Sequence, residues 1–276
     1  MNLPVENFGY PLQLENRHRL KQQLQPFPPM LRETVLDEIP DEMDPRDWMR
    51  IENQRSLGSC QGHAQSSVGE LCYRVATGEV TQFSPLFAYY ATQQVDGLTG
   101  RDVGSTISGG VECATKVGFC PLELMPYPDP PRYAWHLPAA AVMAAAQFRL
   151  QSHTAIGSYD EAFRFLATGQ GGIEIGLAWG NMLSQSTGII EQFAPGRGGH
   201  AVCLLGYSRR KDRNNRHYLW LANSWSETWG NQGWAEVAPA AIGQMLAHNS
   251  TTAVGMSDLS VPVVRAVDWR KESVYA

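Results

Sequence analysis

A chain of 276 residues with 43% hydrophobic and 18% charged side chains can bury a sizeable core, as one two-lobed domain or two small ones, and this excludes global disorder. Its 22 Lys and Arg against 27 Asp and Glu leave a net charge of −5, so there is no basic excess to hold a nucleic acid by counterion release. The longest nearly apolar run, 137–146, contains Pro138 and falls short of the ~20 residues that cross a bilayer, so no membrane span is expected.

Residues 1–38 are polar and interrupted by Pro4, Pro11, Pro26, Pro28 and Pro29, with a short helix expected over Leu14 to Leu24. Glu6, Asn7, Gln13, Glu15, Asn16 and Arg17 leave no apolar stretch for an export signal, and the segment reads as an extension laid over something else. From Cys60, apolar positions at Ala64, Val68, Leu71, Cys72 and Val75 recur in steps of three and four and predict a helix. Ser84 followed by Pro85 starts a second helix through Tyr90. Val111, Ala114 and Val117 mark a third, stopped at Gly118. Six prolines between Pro121 and Pro138 mark a crossing between structural units. Beyond it, Ser158 and Glu161 form a capping box for a short helix. Strand signals then dominate: Ile173, Ile175 and Leu177 alternate, His200 to Leu205 is a short apolar run, and Tyr218, Trp220 and Ala222 alternate. Arg209 to Arg216 forms a charged hairpin tip whose Asn214-Asn215 step suits a tight turn. The cysteines, Cys60, Cys72, Cys113, Cys120 and Cys203, are odd in number and read as reduced thiols rather than a disulfide scaffold.

The chemistry-bearing residues stand at the ends of these elements. Gln54-Arg55-Ser56-Leu57-Gly58-Ser59-Cys60 leads into the first helix, where the positive end of the helix dipole favours thiolate over thiol. Gly198-Gly199-His200-Ala201-Val202 opens one strand and Asn223-Ser224-Trp225 closes the next. A hairpin between them brings His200 and Asn223 together at one end.

This arrangement resembles the papain-like cysteine peptidases, in which His and Asn follow the nucleophile by roughly 130–150 residues. Here His200 follows Cys60 by 140 and Asn223 by 163, the excess being absorbed by the charged hairpin. Gln54 stands six residues before the cysteine, like the family's oxyanion-hole glutamine. Asn223-Ser224-Trp225 with Trp229-Gly230 is similar to the family's Asn-Ser-Trp and Trp-Gly pair. Gly109-Gly110 is similar to the Gly-Gly that lines the substrate cleft. The pattern over 57–60, with Gly118-Phe119-Cys120-Pro121 and Pro126-Tyr127, looks most like the microbial and viral branch.

The resemblance implies an α+β, two-lobed fold with a helical lobe over 39–132 and a β-barrel-like lobe over 133–276, whose C-terminal tail crosses back, and a cleft between the lobes. It implies Cys60 as nucleophile, His200 as its base, Asn223 as the group orienting the imidazole and Gln54 as an oxyanion donor. Gly109, Gly110, Val111, Ala201 and Trp225 would line or shield the cleft. The implied partner is a protein or peptide substrate, with no cofactor. A zinc reading of His63 lacks a second pair of ligands at metal spacing.

The departures are specific. Leu57 and Ile107 stand where the family has a bridged pair of cysteines, and two apolar side chains in contact would replace its packing. Gln61 follows the nucleophile where Trp is common, and Ser226 stands where Gly is usual. These two motivate an alternative, a papain-fold binding or scaffold protein with reduced or lost catalysis; a thioester acyltransferase is a third class. The 1–38 extension either crosses and blocks the cleft or packs as a strap or tail elsewhere.

Overall fold

A computed structural model describes residues 9–15, 20, 22–28, 39–183 and 187–262. Helix α1, Cys60–Thr77, begins at the expected cysteine and ends on Gly78, whose left-handed φ of 77° closes the last turn. Its Gly62 meets the start of the next helix so closely that a Cβ would lie 2.4 Å from the Pro85 carbonyl oxygen, so the lost helix propensity gains a close helix contact. Helix α2, Pro85–Asp96, carries the Ser84 cap, with Ser84 Oγ accepting from the Phe87 amide at 3.0 Å. Helix α3, Ile107–Lys116, is capped by Thr106, and α4 is Ala139–Ala145. Helix α5, Tyr159–Ala167, starts at the expected box: Ser158 Oγ accepts from the Glu161 amide at 3.2 Å. Helix α6 is Pro239–Ala247. Of the helix expected over Leu14 to Leu24, residues 16–19 and 21 lie outside the described residues; Leu20, Gln22 and Gln23 are helical, and the Leu24 amide donates to Leu20 O at 2.9 Å.

Seven strands, β1 Leu150–Ala155, β2 Gly171–Trp179, β3 Ile189–Ile190, β4 Gly198–Lys211, β5 His217–Ala222, β6 Trp234–Val237 and β7 Thr252–Leu259, form one sheet in the order β1-β7-β2-β4-β5-β6-β3. The architecture is α+β, and the recorded pairings leave β1 and β3 as edges rather than closing a barrel. The charged segment is the β4–β5 hairpin tip, with Asn215 at φ 61° as its turn chemistry requires.

The strand alternation sorts side chains between two cores. Ile173, Ile175, Leu177, Val202, Leu204, Leu219 and Leu221 face α5 and α6, while Ala201, Cys203, Leu205, Trp220 and Ala222 join Cys60, Val68 and Leu71 of α1. Each buried aliphatic side chain contributes about 1.5–3 kcal/mol, so α1 is pinned against the sheet along its length. A third cluster joins Leu57, α2, Cys113 and Cys120 to Ala141 and Ala145 of α4. All five cysteines are free and buried.

Candidate active site

Cys60 is the first residue of α1, and its neighbour across the lobes is the start of β4. His200 sits two residues into β4 and Asn223 one residue beyond β5, and the antiparallel pairing of these strands brings the two side chains together. His200 Nε2 lies 2.8 Å from Asn223 Oδ1, so the asparagine oxygen accepts the Nε2 proton and leaves Nδ1 as the basic nitrogen of the neutral ring. Trp225 stacks on the imidazole with centroids 4.5 Å apart, and Trp179 meets it edge-on at 5.1 Å. Gln54 is buried in the turn before Cys60: its Nε2 donates to Leu57 O at 3.0 Å and its Oε1 accepts from Ser224 Oγ at 2.7 Å. Its main chain is tied to the same Ser224, Gln54 N donating to Ser224 O at 2.9 Å.

The chain's own N-terminal segment lies between the start of β4 and the loop before α3. Tyr10 N donates to Gly199 O at 3.1 Å and Ser105 N donates to Gly9 O at 3.2 Å, so one peptide unit spans the two walls. Gly9 has no room for a side chain; a Cβ there would lie 2.0 Å from Gly58 O. Tyr10 is buried with its ring against Gly176 and Ile107, in the cluster that includes Val111 and Ala201. Its hydroxyl donates to Glu15 Oε2 at 3.0 Å, and the Glu15 carboxylate accepts from the amides of Ile107 (2.8 Å) and Ser108 (3.0 Å) at the start of α3.

Beneath this cover the thiol and imidazole are fully buried, and desolvation dominates both. It pushes the Cys60 thiol up to about 12 against the pull of the Ala201, Gly9 and Gln61 backbone groups, and pushes His200 down to about 4 despite its bond to Asn223. The expected lowering of the thiol by the helix N-terminus is therefore reversed in this covered state. At neutral pH the pair is thiol and neutral imidazole.

A family model for papain family cysteine proteases matches residues 39–254. The chain belongs to that family. It is 27% identical over 203 residues to the viral cathepsin of Epiphyas postvittana nucleopolyhedrovirus, spanning 69% of this chain and 58% of that protein. Over 61 residues it is 34% identical to mouse cathepsin K, covering 22% of this chain and 15% of that one. Among solved structures it is similar to xylellain, a cysteine protease from Xylella fastidiosa, with TM-score 0.69 and 19% identity over 93% of this chain and 98% of that one. It is also similar to the bromelain protease of Ananas comosus, with TM-score 0.61 and 16% identity over 79% and 99%. These structural likenesses, below 25% identity, speak for the fold.

Within this papain-family chain two details differ from the sequence expectation. Gly109 and Gly110 do not reach the groove. They lie inside α3, where added Cβ atoms would strike the Asp96 carboxylate and the Gln61 amide, because Thr106 caps a helix that begins at Ile107. The glycine at the groove wall is Gly104, at φ 83°, where a Cβ would lie 1.9 Å from Gly9 O. Leu57 and Ile107 belong to different hydrophobic clusters and do not replace the missing disulfide by contact. The tie is polar: Asp102 Oδ1 accepts from Gly58 N at 2.9 Å and from Tyr89 Oη at 2.7 Å, linking the nucleophile turn to the loop of Gly104. The sequence signal for it was an acidic residue two positions before a glycine, which alone means little.

Gln61 and Ser226 have local explanations. Ser226 adopts φ 66°, the left-handed region in which glycine is unstrained. Gln61 Nε2 donates to Glu174 Oε1 at 3.0 Å and Gln65 Oε1 at 2.6 Å, and its Oε1 accepts from Ser105 Oγ at 2.9 Å. Glu174 was hidden by the alternation of β2, whose apolar Ile173, Ile175 and Leu177 face away from it. Burial raises its carboxyl well above the ordinary 4.5, favouring the neutral acid.

A raised folded-state value means that stability is fully present below pH 4.5 and is lost as pH rises toward the folded value, by up to about 1.4 kcal/mol per pH unit. Glu174→Gln, neutral at every pH, is expected to match or exceed the parent's stability at pH 8 and to lack this component of the decline. Glu174→Ala, which leaves one Gln61 amide hydrogen without its acceptor and opens a void, should lose about 2–4 kcal/mol. Urea denaturation at pH 5.5 and 8 checks both.

Among the described residues, no group of three or more His, Cys, Asp or Glu side chains could hold a metal ion, and no helix is long and apolar enough to cross a membrane.

Proposed function

We propose that this protein hydrolyses peptide bonds of protein or peptide substrates through a thioester on Cys60. In the uncovered groove His200 Nδ1 takes the Cys60 proton, and the thiolate–imidazolium pair lowers the thiol's pKa toward the ~3–4 of a His-paired catalytic cysteine. The sulfur bonds to the substrate carbonyl carbon and the carbonyl π-electrons move to oxygen. A hydrogen of the Gln54 side-chain amide and the Cys60 N–H donate to that oxyanion; losing one such donor typically costs ~10²–10³ in turnover. The C–N bond then breaks, the amine leaving with the His200 proton. Water attacks the thioester, His200 takes its proton, and collapse releases the carboxylic acid and restores the thiol. Asn223 holds the ring in the tautomer this cycle needs.

The observation that carries the reading is the 2.8 Å bond between His200 Nε2 and Asn223 Oδ1 under the Trp225 ring, beside a helix-starting Cys60 toward which the Ala201 backbone points. The same reading makes Gly9 to Glu15 an internal blocker. It lies on the groove walls with its backbone bonded to both, and it takes water from the thiol and the imidazole together.

Mass analysis of products from a peptide library tests the reaction. Hydrolysis gives fragments with free carboxyl termini, even with a competing amine present. Amide-capped fragments in its place would assign the thioester to acyl transfer.

A further inference from the structure

A second buried histidine lies one turn along α1 from the nucleophile. His63 Nδ1 is 2.9 Å from Ser59 O and 3.3 Å from Ser59 Oγ. Ser59 Oγ is 2.7 Å from Tyr127 Oη, and Tyr127 Oη donates to Gln54 O at 2.9 Å. The donor directions are forced. The carbonyl of Gln54 can only accept, so the one Tyr127 proton points to it. Tyr127 Oη must then accept from the Ser59 hydroxyl, whose oxygen and neighbouring carbonyl accept from His63 Nδ1–H. The result is a one-way chain of hydrogen bonds from His63 to the main chain of the residue whose side chain serves the oxyanion.

Two further observations set this chain apart from ordinary core packing. Ser59 is the N-cap of α1, yet its hydroxyl makes no capping bond; it is committed to Tyr127 and His63 and forgoes the usual contribution of a cap to the helix. The His63 ring packs edge-on against Tyr127 at 4.8 Å, which fixes the hydroxyl's position. Burial keeps His63 neutral, down to about 4, as the chain requires.

We propose that His63 and Tyr127 are positioning residues for the oxyanion side of the site: they fix the Gln54 main chain and the Ser59–Cys60 turn from which the two donors project. The proposal rests on the cysteine-peptidase reading and adds to it. None of these residues touches substrate; they act through Gln54 and Cys60.

The test uses the full chain and a fluorogenic peptide. The N-terminal segment competes with substrate equally in all variants and enters KM, so kcat at saturation reads the machinery. His63→Phe, which keeps the ring contact but removes the donor, and Tyr127→Phe should each lower kcat about 10- to 100-fold, with KM within about threefold. Alkylation of Cys60 by iodoacetamide, which develops no oxyanion, should stay within about twofold of the parent. The double variant should be no worse than the worse single, and His63→Asn, whose amide can reach Ser59 O, should recover most of the loss. Unchanged kcat in both Phe variants would overturn the proposal, as would a parallel fall in alkylation and kcat, which marks simple loss of packing. If His63→Phe does not fold, Tyr127→Phe decides by the same criteria. Amide exchange over 54–60, which needs no turnover, should accelerate at least tenfold in either variant, and unchanged exchange counts against the proposal. Failure of the underlying reading is distinguishable: it would appear as full activity in Cys60→Ala.

Discussion

Cys60→Ala is expected to abolish peptide cleavage, lowering kcat by about 10⁴-fold or more, while leaving the fold intact. The size follows from the role: without the sulfur no thioester forms, and what remains is binding and the oxyanion donors alone. The fold should survive because Cys60 is a small, fully buried side chain in a cluster otherwise made by Val68, Leu71, Ile107 and the sheet. A circular-dichroism melt beside the activity assay separates the two effects. A variant that folds and still cleaves at a tenth of the parental rate or faster would show that the nucleophile lies elsewhere.

The second large effect concerns the cover. Tyr10→Ala in the full chain removes a ring packed on Gly176 and Ile107 together with its bond to Glu15. Truncating a buried aromatic costs roughly 3–5 kcal/mol, and here the cost falls on the covered state alone, since an open groove makes none of these contacts. At 1.4 kcal/mol per factor of ten, even 3 kcal/mol raises the open fraction about 10²-fold. Iodoacetamide should therefore label Cys60 about 10² times faster in the variant at pH 7.5, and peptide cleavage should rise in step. Opening also lets water back to the pair, removing the desolvation that pushes the thiol up and the imidazole down. The other four thiols, buried away from the groove, should keep their rates. An unchanged Cys60 rate would mean that Gly9 to Glu15 does not govern access.

How much of this was legible in the sequence depended on whether a signal was local. Cys60 at a helix start, and His200 and Asn223 at facing ends of adjacent strands, follow from periodicity plus antiparallel pairing, whereas Gln54 was singled out only by the resemblance to the papain-like peptidases. Contacts set by tertiary approach were not readable. Gly109-Gly110 matched a cleft motif in letters, but the Thr106 cap draws it into α3, and the groove wall falls to a single Gly104 whose need for a positive φ leaves no trace in composition. Leu57 and Ile107 occupy the sites of a lost disulfide, yet the replacement is the Asp102 carboxylate, because a hydrogen bond to Gly58 N can span a gap that two apolar side chains do not meet across. Glu174 disappeared behind the apolar alternation of β2, since a period of two describes only one face of a strand. The thiol's protonation in the covered state is unreadable for a related reason. Helix position is visible in sequence, whereas burial by a segment some fifty residues upstream is not, and burial is the larger effect here.

The account rests on a covalent bond between Cys60 and the carbonyl carbon of a substrate. Intact-protein mass spectrometry of the chain mixed with a peptide ester and quenched in acid within the first turnover reads it directly. The expected result is one acyl group, located on Cys60 by fragmentation, with little or none in His200→Ala and none in Cys60→Ala. Substrate turnover with no acyl adduct on Cys60, or an adduct that forms equally well without His200, would contradict it.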